Sequence, residues 1–160
     1  MSTFGRLIPN KIQLLRVDIV KGLIENPPGL EQEDIVGYEF GMGYSNGFNP
    51  EEKLAKTELE IRITSQDHEE GPQAKGLFLL AFLFKVDNLE ELVKHKEEGI
   101  VVSPHLGNAM ASISYSTARG ILLTRFQGTI LKDFILPVID PNELLKPENS
   151  LQDQQEEGSK

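Results

Sequence analysis

The sequence predicts an α+β domain: a four-stranded antiparallel sheet packed by one long helix and a short C-terminal helix. Three observations carry this. Residues 35–44 and 53–64 alternate apolar and polar side chains with a period of two, the mark of strands with two unlike faces. Residues 74–86 (AKGLFLLAFLFKV) are apolar at nearly every position, so this strand is covered on both sides. Residues 105–126 repeat their apolar positions at helical spacing, and this helix follows all four strands.

Residues 11–21 (KIQLLRVDIVK) read as the first strand, with an irregularity near Leu15. The paired prolines and acidic end of ENPPGLEQED (25–34) cannot join a ladder and predict a long crossing loop. In 35–44 (IVGYEFGMGY), Val36, Tyr38, Phe40, Met42 and Tyr44 share one face and Gly37, Glu39, Gly41 and Gly43 the other. The turn residues of SNGFNPEE (45–52) are expected to end this second strand. In KLAKTELEIRIT (53–64), Leu59, Ile61 and Ile63 oppose Glu58, Glu60 and Arg62, and SQDHEEGPQ (65–73) is a charged hairpin loop.

After the fourth strand, NLEELVKHKEE (88–98) reads as a short helix or turn. Ser103-Pro104 is an N-cap followed by proline at the first helical position, which starts the long helix. Residues 128–146 hold a strand-like apolar run, then Asp140-Pro141-Asn142-Glu143, the signature of a short helix. From Pro147 the chain has almost no apolar content. The expected organisation is one domain over 1–146 and a disordered acidic tail over 147–160.

Composition narrows the function. A globular chain of this length buries roughly 70% of its unfolded surface without staples. There is no cysteine, which excludes disulfides, thiolate metal sites and a cysteine nucleophile. Sixteen basic against 25 acidic residues give a net charge of −9, which argues against nucleic acid and anionic lipid as partners. The first residues lack a signal-peptide core, and the longest dense apolar run, 76–84, is too short for a helical membrane span. A soluble, cytoplasmic protein with no membrane insertion is expected.

The long helix is poor in bulk: between Ala109 and Gly120 stand three Ala, three Ser, one Thr and one Gly. At 100° per residue, Leu106, Met110, Ile113, Thr117, Ile121 and Thr124 form one stripe, broad enough to cover a sheet. Beside it runs a smaller stripe of Gly107, Ala111, Ser114, Ala118 and Leu122. No other long helix exists to receive it, so the small stripe is expected to pack on its own copy in a homo-oligomer. Gly120 costs roughly 1 kcal/mol inside a helix, which close packing would justify.

No catalytic or metal constellation stands out, and no cofactor is implied. His68, His95 and His105 have no ligand spacing. Asp67-His68-Glu69-Glu70 reads as a solvated turn rather than a cation grip. The glycines of GYEFGMGYSNG (37–47) lack the strand–loop–helix context of a phosphate cradle, and Ser114 and Ser116 have no nucleophile elbow around them. The surplus is apolar surface instead. Tyr38, Phe40, Met42, Tyr44, Phe78, Phe82 and Phe84 offer more than one helix can hide, either as a client-binding groove or as oligomer contact.

With these elements in place, the chain resembles the SecB family of protein-export chaperones. The resemblance spans roughly residues 12–145. It rests on Asp18-Ile19 with Ile24-Glu25-Asn26-Pro27 in the first strand and its exit, and on the order of four strands, long helix and short helix. It rests further on ISYSTARGIL (113–122) with its Arg119-Gly120 pair, and on ILPVIDPNELL (135–145) before a Gln-rich acidic tail. Two stretches depart from the family. VVSPHLGNAMA replaces its Pro-aromatic lead into the helix, and the span from Arg119-Gly120 to Pro137-Val138 is longer.

The resemblance implies an ATP-independent holdase, a dimer of dimers paired through the long helices. Such a protein binds unfolded or precursor polypeptides in apolar grooves and passes them to the SecA motor. It makes Asp18 and Glu25 candidate motor-facing carboxylates, unless they are ordinary strand-edge charges. Two alternatives stand beside this. One is a SecB-like chaperone dedicated to a narrow client such as an antitoxin. The other is a hot-dog-like thioesterase or apolar-ligand carrier, although in that fold the helix precedes most strands.

Overall fold

The computed structural model describes residues 3–68 and 70–151. Four long strands, β1 (Ile12–Glu25), β2 (Ile35–Asn49), β3 (Leu54–Asp67) and β4 (Lys75–Val86), form one antiparallel sheet in the order β1-β4-β3-β2. β1 and β2 thus stand at opposite edges, and the proline-rich loop 26–34 must cross the sheet, as its composition demands. Irregularities in β1 fall between Leu14 and Arg16 and between Ile19 and Lys21. The first is the one expected near Leu15.

Strands β2 and β3 outrun their expected ends. Ser45 to Asn49 stay in register with Glu58 to Leu54, and the turn itself is only Pro50–Lys53, with Lys53 at φ 60°. The stretch expected to be a short helix or turn divides in two. Only Leu89–Leu92 is helical (α1), and a small hairpin of β5 (Val93–Lys96) and β6 (Gly99–Val102) follows. Its charged alternation hides the strands, and Gly99 at φ 128° supplies a turn conformation that side chains rarely adopt.

Helix α2 (Pro104–Arg125) begins where Ser103-Pro104 predicts. Ser103 caps it through its backbone carbonyl, which accepts from the Gly107 amide at 2.9 Å. The short helix at Asp140 is a 3-10 turn, Pro141–Leu145, and the Asp140 carboxylate accepts from the Asn142 amide at 3.0 Å. Between the two, the strand-like run forms no strand. Residues 129–140 fold back along α2 through turns and irregular chain.

The core lies on one face of the sheet. Leu59, Ile61, Ile63, Leu80, Phe82 and Phe84 are fully buried there beneath α2 and the returning chain. Residues 147–151, read from composition as the start of the tail, are placed against β2: Ser150 bridges Tyr44, and Leu151 is buried. One apolar side chain anchors them. Residues 152–160 lie outside the described residues. Among the described residues no helix is long and apolar enough to cross a membrane.

A buried hydroxyl pair fixes α2 on the sheet: Thr57 Oγ1 of β3 and Ser114 Oγ share a hydrogen bond of 2.7 Å at full burial. Ser114→Ala should cost about 1–3 kcal/mol because it strands the Thr57 hydroxyl, whereas adding Thr57→Val should recover most of that loss. Urea unfolding of the two singles and the double reads this directly. A double variant as unstable as the summed singles would show that the pair does not act as a unit.

Candidate functional site

Seven aromatic and Met residues were expected to line a client groove, and the structure divides them. Phe78, Phe82, Phe84 and Tyr44 point into the core and are buried, so they cannot meet a client. Face does not divide them, since Tyr38, Phe40 and Met42 share the core face of β2 with Tyr44. Cover does: the four buried residues sit where α2 and the returning chain close over the sheet, while Phe40 lies on the edge strand beyond full cover. Tyr38 and Met42 are half-buried, and Phe40 keeps 38% of its surface exposed. Of the seven, these three leave apolar surface open on β2, with the exposed Val36 nearby; elsewhere Leu15, Val20 and Leu23 of β1 are also exposed.

An aromatic cluster from the returning chain supports this part of β2. The Phe134 ring lies 5.5 Å from Tyr38, 5.8 Å from Phe40 and 6.2 Å from Phe126, and Phe126 meets Phe78 edge-on at 5.5 Å. Gln32 ties the crossing loop in, donating to the Asp133 carboxylate at 2.9 Å and to the Tyr38 hydroxyl at 3.4 Å. Burial raises the Tyr38 phenol above its ordinary range, against the opposing pull of Gln32. Phe134 escaped the sequence reading because nothing in its local pattern separates a packed loop from a strand, and Phe126 was read only as the last residue of the long helix.

Helix α2 is turned by about a quarter from the expected orientation. Gly107, Ala111, Ser114, Ala118 and Leu122, assigned above to a self-contact, are buried against the chain's own sheet. Ser114 meets the sheet directly through Thr57 of β3, while Gly107, at the helix start, faces Val102 of β6 and Leu145 of the 3-10 turn. The face left open carries Ile113, Thr117, Gly120, Ile121 and Thr124. Part of it forms a shallow trough of about 450 Å³ with Ser116 and Arg125, and a Cβ on Gly120 would meet nothing. On the opposite flank, Arg119 Nε donates to the Leu136 carbonyl at 2.8 Å and the Tyr115 hydroxyl to that of Pro137.

The outer face of the sheet holds Asp18 and Glu25. Asp18 accepts from Arg16 at 2.6 Å, and Glu25 stands opposite Lys75 in register. Two further pairs, Lys56 with Glu58 and Arg62 with Glu60, lie on the same face. Leu77, Leu79 and Leu83 run half-exposed between these charges. A protein of net charge −9 therefore presents here a face whose charges pair with one another.

Among the described residues no group of acidic or histidine side chains could hold a metal ion. Of the Asp67–Glu70 turn, Glu69 lies outside the described residues. The His68 amide donates to the Asp34 carbonyl at 3.2 Å, so the turn is pinned to the crossing loop. A hollow of about 480 Å³ lies between them, walled by Pro28, Leu30 and Pro72 as well as by Asp34, Asp67 and His68.

No protein-family model matches the chain, and no curated protein matches it. A solved structure does: the Mycobacterium tuberculosis Rv1957 SecB-like chaperone in complex with a ChAD peptide from the Rv1956 HigA1 antitoxin. It is similar with a TM-score of 0.59 at 11% identity, over 81% of this chain and 91% of that one. The chain has the SecB-like fold.

The division of the aromatics is open to test. Phe78→Ala should cost about 3–5 kcal/mol of stability, and Phe40→Ala well under half of that, because only the first empties a filled core. Chemical denaturation compares the two. Equal losses would mean that Phe40 is core as well.

Proposed function

We propose that this protein is an ATP-independent holdase that binds non-native polypeptides. One observation carries the proposal: in a SecB-like fold, Phe40 and Val36 of β2 stay 38% and 56% exposed, with Met42 half-buried and Phe40 covered on one side only, by Phe134. Flat aromatics and flexible Met suit sequence-tolerant contact with apolar stretches, and the overall acidity suits cationic ones. On this reading the protein binds and does not catalyse, and it works in the cytoplasm.

The proposed assembly is a homo-oligomer, a dimer of dimers, paired through the open flank of α2. Ile113, Thr117, Gly120, Ile121 and Thr124 present a thin apolar strip, and Gly120 then has the close neighbour that justifies its cost. Delivery of preproteins to SecA would use Asp18 and Glu25 on the outer sheet face. Their pairing with Arg16 and register with Lys75 suit ordinary strand-edge charges, and the alternative function is a chaperone dedicated to a narrow client. The similar mycobacterial chaperone is itself bound to an antitoxin peptide.

The test is to dilute a chemically unfolded, slow-folding protein into buffer with this one and without ATP. Near-stoichiometric amounts should arrest refolding, and the variant Phe40→Ser/Met42→Ser should lose most of the effect while remaining folded. Several clients refolding at unchanged rates would overturn the proposal. For the assembly, Ile121→Glu should reduce the sedimenting mass, and an unchanged mass would exclude the α2 flank as the interface.

A further inference from the structure

Residues 134–140 are held in an unusual way. They have no regular structure, and among the described residues none of 135–139 makes a backbone–backbone hydrogen bond. Two consecutive carbonyls are held instead by side chains of α2, Leu136 by Arg119 Nε and Pro137 by the Tyr115 hydroxyl. Burial alternates over Phe134 to Leu136, with Phe134 and Leu136 inside and Ile135 54% exposed between them; beyond Leu136 the alternation ends and Val138 is 83% exposed.

We infer that this segment is a built-in occupant of the client site, and that Tyr115 and Arg119 are the groups that take a client's backbone once it is displaced. The inference rests on the holdase reading. Every residue of an unfolded chain offers a carbonyl, so a donor pair aimed at carbonyls reads no sequence. Two apolar pockets two residues apart then ask only for a bulky residue at each, as in other sites that accept extended peptides. The pocket beneath Leu136 and the rings of Tyr38, Phe40 and Phe126 around Phe134 are such pockets. The exposed Ile135 and Val138 contribute little to holding the segment in place, so it can lift between its anchors at Leu131 and Leu144.

The chain has no cysteine, so Val138→Cys with Leu123→Cys takes two spin labels cleanly. Adding reduced, alkylated α-lactalbumin, which stays unfolded, should lengthen and broaden the distance between them in step with client binding, followed by anisotropy of a dye on the client. Client bound with the distance unchanged would overturn the inference and leave the holdase reading intact. Leu136→Ser should loosen the segment and tighten client binding about tenfold by removing the competing occupant. Tyr115→Phe/Arg119→Gln should loosen it without that gain, because the donors are gone too.

If no client binds any of these proteins, the holdase reading fails, and a dye-labelled peptide of residues 132–141 still tests the segment. It should bind the Leu136→Ser protein and not the wild type. Failure to bind the loosened protein, with circular dichroism showing it folded, would overturn the inference.

Discussion

Helix α2 lies close against the sheet because Ala111, Ser114 and Ala118 keep its underside thin, and the Thr57–Ser114 hydrogen bond sets its register there. The rest of the molecule adjusts to that contact. A helix this near the sheet can rest directly on Leu59, Leu80 and Phe82. Its bulkier residues are then rotated to the sides, where Leu106 and Met110 are buried and Ile113 and Ile121 are left half-open. A larger side chain at position 111 or 114 would lift the helix and open the core that it seals, at a cost of about 1–3 kcal/mol for overpacking alone.

The same constraint divides the surface. With α2 over the middle of the sheet, the chain returning after Arg125 must cover the far end, and Phe126, Leu131 and Phe134 do so. Gly76 records how tightly they fit, since a Cβ there would come within 2.8 Å of Leu131. What the returning chain covers only in part is the stretch of β2 around Phe40, which meets Phe134 yet keeps 38% of its surface exposed. Exposed apolar surface and its nearest cover are thus neighbours, and a binding function needs little more than a shift of one against the other.

Strand-level features were legible because a period of two is written residue by residue. Tyr38 to Tyr44 and Glu58 to Ile63 declared their faces, and the prolines at 27 and 28 declared the crossing loop. Val36 departs from its expected place because a register shift between Ile35 and Gly37 leaves Ile35 against the core and Val36 exposed. The orientation of α2 was not legible. Two adjacent stripes compete for the sheet, and bulk argued for the wrong one, because close approach rewards small residues that a composition argument assigns to a second helix. Phe78, Phe82 and Phe84 misled for a related reason: the cover over them comes from residues 126–136, whose apolar alternation reads as a strand. Its carbonyls find their partners in Tyr115 and Arg119, far away in sequence and four apart on one helix flank. That spacing was visible, but its meaning depended on the fold.

The most direct test of the account is a methyl-resolved NMR titration of the folded protein with a permanently unfolded polypeptide. The account predicts that shifts concentrate at Val36, Met42, Leu136 and Val138, while Leu59, Ile61 and Leu80 beneath α2 stay in place. Shifts confined to Leu77, Leu79 and Leu83 on the outer face, or none at saturating client, would contradict it.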